Sequence, residues 1–134
     1  EIPSGYDAGL YVTERLEIPA RDGTAIPVSI VMRKDRAALV GEGAGPLHLY
    51  GYGAYGECLD PWFSHARLSL LERGFVFAIA HVRGGGELGE AWYRAGKLEH
   101  KHNSFSDFIA CSWSTFSCLT RPSSVSDLNG SLVE

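Results

Sequence analysis

The chain has 134 residues, 45% of them hydrophobic and 21% charged, and a net charge of −4. That is one domain's worth of ordinary globular sequence. The acidic balance offers no basic surface for general nucleic-acid binding, and no run approaches the roughly 18 apolar residues of a membrane span.

Residues 11–20 (YVTERLEIPA) and 25–33 (AIPVSIVMR) are rich in β-branched and aromatic types, with Asp22-Gly23 between them, and read as a β-hairpin. Residues 35–46 are small, polar and glycine-rich, a loop, and 47–50 (LHLY) form a short strand. Over 62–73, Phe63, Ala66, Leu70 and Leu71 recur at helical spacing, and Gly74 is a natural C-terminal stop. Residues 75–82 (FVFAIAHV) are almost continuously apolar, as expected of a strand buried on both faces in a parallel sheet. Asn103 reads as the N-cap of a further helix starting near Ser104. The order of elements predicts an α/β layer fold with an antiparallel start, in which catalytic loops lie at the carboxyl ends of the parallel strands.

From Cys111 the composition changes: seven of the thirteen serines fall in the last 24 residues. The division is therefore 1–110 for the ordered domain and 111–134 for a divergent, serine-rich tail. The chain opens on Glu1 rather than Met, and shows neither the basic nor the apolar region of a signal peptide. It is expected to be a processed product or a piece of something longer. Three cysteines (Cys58, Cys111, Cys118) have no metal-ligand spacing and are an odd number. The expectation is no disulfide framework, no metal, and a reducing cytoplasm. His100-Lys101-His102 reads as a solvated charged loop rather than a metal site.

Glycine is the outlier, at 16 residues, and it clusters. Gly51, Gly53 and Gly56 follow the 47–50 strand; Gly84, Gly85, Gly86 and Gly89 follow the 75–82 strand. The first cluster fits Gly-x-Gly-x-x-Gly, which raises a dinucleotide site, with Arg83 suited to a 2′-phosphate as in NADP. That site needs a helix opening within the loop, whereas Pro61 delays any helix at least to itself. The alternative is a catalytic loop presenting Tyr52, whose hydroxyl, with a reference pKa of about 10, stays protonated at neutral pH and can donate to a developing oxyanion. A plain half-buried tyrosine is the bland reading. In the second cluster, Arg83 and Glu87 are close enough in sequence to pair across the turn, which predicts a structural loop (Arg83, Gly84, Gly85, Gly86, Glu87) fixed by that ion pair.

Taken together, LYGYGAYG (49–56), LLERGFVFAIAHVRGGGELGEAWYRAGK (70–97) and NSFSDF (103–108) closely resemble the prolyl oligopeptidase family of serine peptidases, and within it the oligopeptidase B (protease II) group. The stretch 11–35 resembles the entry to that family's catalytic domain, and the likeness covers roughly residues 6–111. The resemblance implies the N-terminal part of an α/β-hydrolase fold, truncated, with an antiparallel hairpin leading into parallel strands and helices. It implies short peptide substrates cut after Arg or Lys by a Ser-Asp-His triad, a separate β-propeller, and no cofactor. Tyr52 matches the family's oxyanion-hole tyrosine, Tyr55 an aromatic position near the substrate pocket, and Asp60 the first of two acidic positions that bind a basic side chain. The second falls at Trp62, which is not acidic.

The resemblance also says what to look for and not find. The nucleophile of this fold sits in Gly-x-Ser-x-Gly, about 25 residues beyond the aspartate matching Asp107. Ser131 stands near there, but Asn129 and Val133 replace the two glycines, so its position is a coincidence. No triad nucleophile is expected in this chain, and a reading-frame shift or a mispredicted gene end would explain the change after Cys111. A chain ending there leaves strand 47–50 with an open edge and is expected to be catalytically incomplete and prone to aggregate. Competing readings are a non-catalytic binding module and, less favoured, an NADP-binding fragment.

Overall fold

The computed structural model describes residues 6–36, 45–62 and 64–119, the side chains of 118 and 119 excepted. Strand β1 (Tyr11–Pro19) follows a short 3-10 turn, Ala8–Leu10, and pairs antiparallel with β2 (Ala25–Arg33), in register from Tyr11↔Arg33 to Pro19↔Ala25. Asp22-Gly23 makes the turn as its residue types require. The Asp22 carboxylate accepts from Thr24 N at 3.0 Å, and Gly23 takes φ +84°, a backbone region that costs glycine nothing.

The sheet has four strands in the order β1-β2-β4-β3, with β3 at Leu47–Tyr50 and β4 at Val76–Ala80. All five β4 residues are buried, as their apolar run predicts. The sheet around it is mixed, however: β4 is parallel to β3 but antiparallel to β2. Apolarity reports burial on both faces and not the direction of the neighbours. Among the described residues nothing pairs with the outer side of β3.

Helix α1 (His65–Leu71) is shorter than the 62–73 periodicity suggests. Asp60 to Trp62 are held in a tight turn, Trp62 N donating to Asp60 O at 2.9 Å, so the helical ladder starts only at Ser64. Leu71 is buried and Leu70 half-buried, but Ala66 is exposed, and Phe63 lies outside the described residues. Gly74, at φ +81°, ends the helix. Its N–H meets Leu71 O at 3.0 Å and the next N–H meets Leu70 O at 3.2 Å, the paired bonds of a Schellman stop.

Helix α2 is Glu90–Arg94, and α3 runs from Lys101 to Leu119 without a break at Cys111. Helix α3 begins before Asn103, which is therefore not its cap. A 3-10 turn at Leu98–His100 leads straight into it, and the Asn103 amide donates to Ala95 O at 2.9 Å instead. His100 and His102 accordingly flank a helix start rather than lie in a loop. Among the described residues no helix is long and apolar enough to cross a membrane, and no group of His, Cys, Asp or Glu is placed to hold a metal.

One sheet face carries the larger core: Ile26, Val28, Ile30 and Met32 of β2 with Val76, Ala78 and Ala80 of β4, covered by Phe108 and Cys111 of α3 and by Trp92. The other packs Phe77 and Ile79 against Leu71, with Tyr11, Val31 and Leu59 around them. Burial raises the Cys111 thiol from 9.0 to about 12. Two outcomes follow. Iodoacetamide at pH 8 should modify exposed Cys58 in the native protein and reach Cys111 only after urea, as peptide mass mapping would read. Because the folded thiol is the weaker acid, its contribution to stability is full below pH 9 and falls as pH rises towards 12.

Candidate active-site loops

Both glycine clusters sit where the topology puts them, at the carboxyl ends of the parallel pair β3 and β4. The two loops are one packed unit. Gly56 N donates to Gly84 O at 3.0 Å, and Gly86 N to Glu57 O at 3.2 Å. The backbones approach so closely that a Cβ on Gly84 would stand 2.2 Å from Gly53 O, and one on Gly86 2.2 Å from Gly56 O. Gly84 also holds φ +100°. Gly84→Ala should therefore cost about 1–3 kcal/mol, measured by urea unfolding. Gly23→Ala is the control, strained at φ +84° but meeting nothing within 4 Å, and should cost less.

Helix α3 clamps this unit from below. Ser104, 5% exposed, donates to Arg83 O at 2.5 Å, with Gly53 O and Gly96 O also within 3.4 Å of its hydroxyl. Lys101 Nζ donates to Gly53 O at 2.5 Å. Arg83 reaches α3 as well. Its Nε and Nη2 grip both oxygens of Asp107 at 2.9 and 2.6 Å, and its backbone N–H adds a third bond at 3.1 Å. Arg83 Nη1 meets Asp22 of the hairpin turn at 2.6 Å. That hydrogen bond, with the Thr24 groups, holds the Asp22 carboxyl well below the usual range.

The expected Arg83–Glu87 pair does not form. With φ at +100°, Gly84 turns the chain so that Arg83 points to α3, while Glu87 turns towards Leu59 N (3.1 Å) and His81 Nδ1 (3.3 Å). Burial raises the Glu87 pKa, but the His81 bond and the Leu59 amide outweigh it and leave the carboxyl below its usual 4.5. Sequence reasoning missed Asp22, His81, Lys101, Ser104 and Asp107 as the residues that fix the loops. Asp107 carried one signal, its place in the NSFSDF segment.

On this rigid base Tyr52 is held about half exposed (46%), its hydroxyl bonded to no described residue. Tyr55 is 82% exposed at φ +55°, its ring centroid 6.5 Å from that of Tyr52. Asp60 is exposed and makes no hydrogen bond or ion pair with either tyrosine among the described residues. Among the described residues no helix opens after Gly56 until His65, so the first glycine loop lacks the helix N-terminus that a pyrophosphate site needs.

Residues 61–116 match the model of the prolyl oligopeptidase family. The chain is 57% identical over 106 residues to the dipeptidyl aminopeptidase BI of Pseudoxanthomonas mexicana, covering 78% of this chain and 14% of that protein. It is 45% identical over 105 residues to protease 2 of Moraxella lacunata, again over 78% of this chain and 15% of the relative. The oligopeptidase B structure from Leishmania major superposes with a TM-score of 0.79 at 48% identity, over 91% of this chain and 17% of that one. The chain thus spans about one seventh of the length of these curated relatives.

Proposed function

The chain belongs to the prolyl oligopeptidase family, and on that premise we propose that it is the entry half of an oligopeptidase B-like catalytic domain, in which Tyr52 donates the side-chain hydrogen bond of the oxyanion hole. The observation that carries this is the loop itself: a tyrosine hydroxyl with no hydrogen bond among the described residues, held at the carboxyl edge of a parallel strand pair by glycine contacts that admit no side chain. Preorganised donors of this kind act without reorganising as charge develops, and so favour the transition state over the bound substrate. Tyr55 borders the peptide and Asp60 faces a basic side chain, Trp62 weakening that preference. Arg83, Gly84, Gly85, Gly86 and Glu87 position the loop and touch no substrate.

No Gly-x-Ser-x-Gly occurs in the chain, so residues from outside it supply the nucleophile and its partners, as the propeller and a cytoplasmic setting belong to the whole enzyme. The purified chain should not hydrolyse a fluorogenic Arg-Arg amide. Exchanging residues 6–111 into a complete oligopeptidase B should give an enzyme that does, faster after Arg than after Pro. A folded chimera with no turnover, or turnover by the chain alone, overturns the reading. The Pseudoxanthomonas mexicana relative is named a dipeptidyl aminopeptidase, which favours a second outcome, release of N-terminal dipeptides; a free against an acetylated amino terminus on the same substrate separates the two.

A further inference from the structure

A second constellation lies on the opposite side of the sheet from α3; it shares His81 and Glu87 with the loops of the peptide site, and its cavity shares Trp62. Ser29, at mid-β2, has its hydroxyl oxygen 2.8 Å from His81 Nε2. His81, 3% exposed, has Nδ1 3.3 Å from Glu87 Oε1. The three side chains form a line of hydroxyl, imidazole and carboxylate. Glu87 is held ionised by the Leu59 amide and the imidazole, so it can only accept. The His81 proton therefore sits on Nδ1, and Nε2 is left to accept from the Ser29 O–H. That is the tautomer a general base needs.

Ser29 also faces space. It borders an open cavity of about 720 Å³ between β1, β2 and α1, whose wall is mostly apolar and includes Tyr11, Trp62, Leu68 and Phe77. Arg15 stands directly opposite Ser29 in the β1–β2 register, hence on the same face, and lines the same cavity. A nucleophile bonded to its base, a base bonded to its orienter, an apolar cavity and a nearby cation are the parts that acyl transfer uses.

We infer that Ser29 is a nucleophile towards carboxylic esters with an apolar acyl group, with His81 as its base and Glu87 as the group that orients the imidazole. Ser29 Oγ bonds to the acyl carbon and the ester C–O bond breaks. The hydroxyl proton passes to His81 Nε2 and on to the departing alkoxide, which leaves as the alcohol. Water, deprotonated by the same nitrogen, then bonds to the acyl carbon; the acyl–Oγ bond breaks, Ser29 Oγ takes the proton back from His81 Nε2, and the acid is released. The Arg15 guanidinium faces the oxyanion formed in each half. The relay does not depend on the peptidase reading, and either can fail without the other.

The test is an alkyl fluorophosphonate probe on the full chain, followed by digestion and mass mapping. The expected adduct is on Ser29, absent after urea, absent in Ser29→Ala, and at least about tenfold slower in His81→Gln. Because a change at buried His81 also perturbs packing, Ser29→Cys supplies a second reading. The introduced thiol, beside the imidazole, should react with iodoacetamide at pH 6 at least about tenfold faster than exposed Cys58 in the same sample. No adduct on Ser29, an adduct that survives urea, an adduct that forms as fast in His81→Gln as in the parent, or a thiol that tracks Cys58 overturns the inference.

Discussion

Asp107→Ala should leave the chain unfolded at 25 °C, or remove about 3–5 kcal/mol from the chimera that carries it. Asp107 is fully buried, and it receives three hydrogen bonds from Arg83, two from the guanidinium and one from the backbone. Removing it strands most of a cation that is itself only 7% exposed. Asp22 remains as a partner but cannot substitute, since it is half exposed and meets only Nη1. Asp22→Ala should accordingly cost about 1 kcal/mol or less. If the penalty is that of the stranded charge, replacing both members together, Arg83→Met with Asp107→Leu, should recover part of it. Urea midpoints with far-ultraviolet circular dichroism measure all three. A change under 1 kcal/mol for Asp107→Ala would mean that the loops are fixed by glycine packing alone.

That pair also shows where sequence reading stops. The hairpin, the buried strand and the Gly74 stop were legible because each depends on local rules: alternation with a turn dipeptide, an apolar run, a residue that tolerates positive φ. The loop that carries Tyr52 was legible through resemblance, since the glycines that allow the close approach form a long and specific string. The partners of Arg83 were not. Glu87, four residues away, was the nearer acid in sequence, and only the φ +100° turn at Gly84 sends the two side chains apart. Asp107 stands 24 positions away and Asp22 61, separations that no local pattern encodes. The start of α3 was misplaced for a related reason. Asn103 has the chemistry of a cap, but its amide is engaged by a carbonyl of the preceding turn. The Ser29–His81–Glu87 line joins mid-β2 to the loop after β4, and only the β2–β4 register brings its ends together.

Tyr52→Phe, made in the active chimera, should lower kcat by about 10²–10³-fold, or about 2.7–4 kcal/mol of transition-state stabilisation, with little change in KM. The phenyl ring is kept, so the loop loses neither its packing nor its contact with Tyr55. Only the hydroxyl goes, and it has no hydrogen bond to any described residue that its loss could disturb. The folded state should therefore be indifferent to the change, with a urea midpoint equal to that of the parent. The transition state should not be, because a neutral donor fixed by the 53–56 and 84–86 backbones meets an oxygen that is charged only there. Tyr55→Phe is the contrast. That ring lies 82% exposed, and if it only borders the substrate its hydroxyl should matter less than tenfold. Equal and small effects for the two tyrosines would remove Tyr52 from the reaction and leave its loop a structural turn. A fall in kcat confined to Tyr52→Phe, at unchanged stability, is the signature that separates a donor of hydrogen bonds to the transition state from a residue that merely completes the fold.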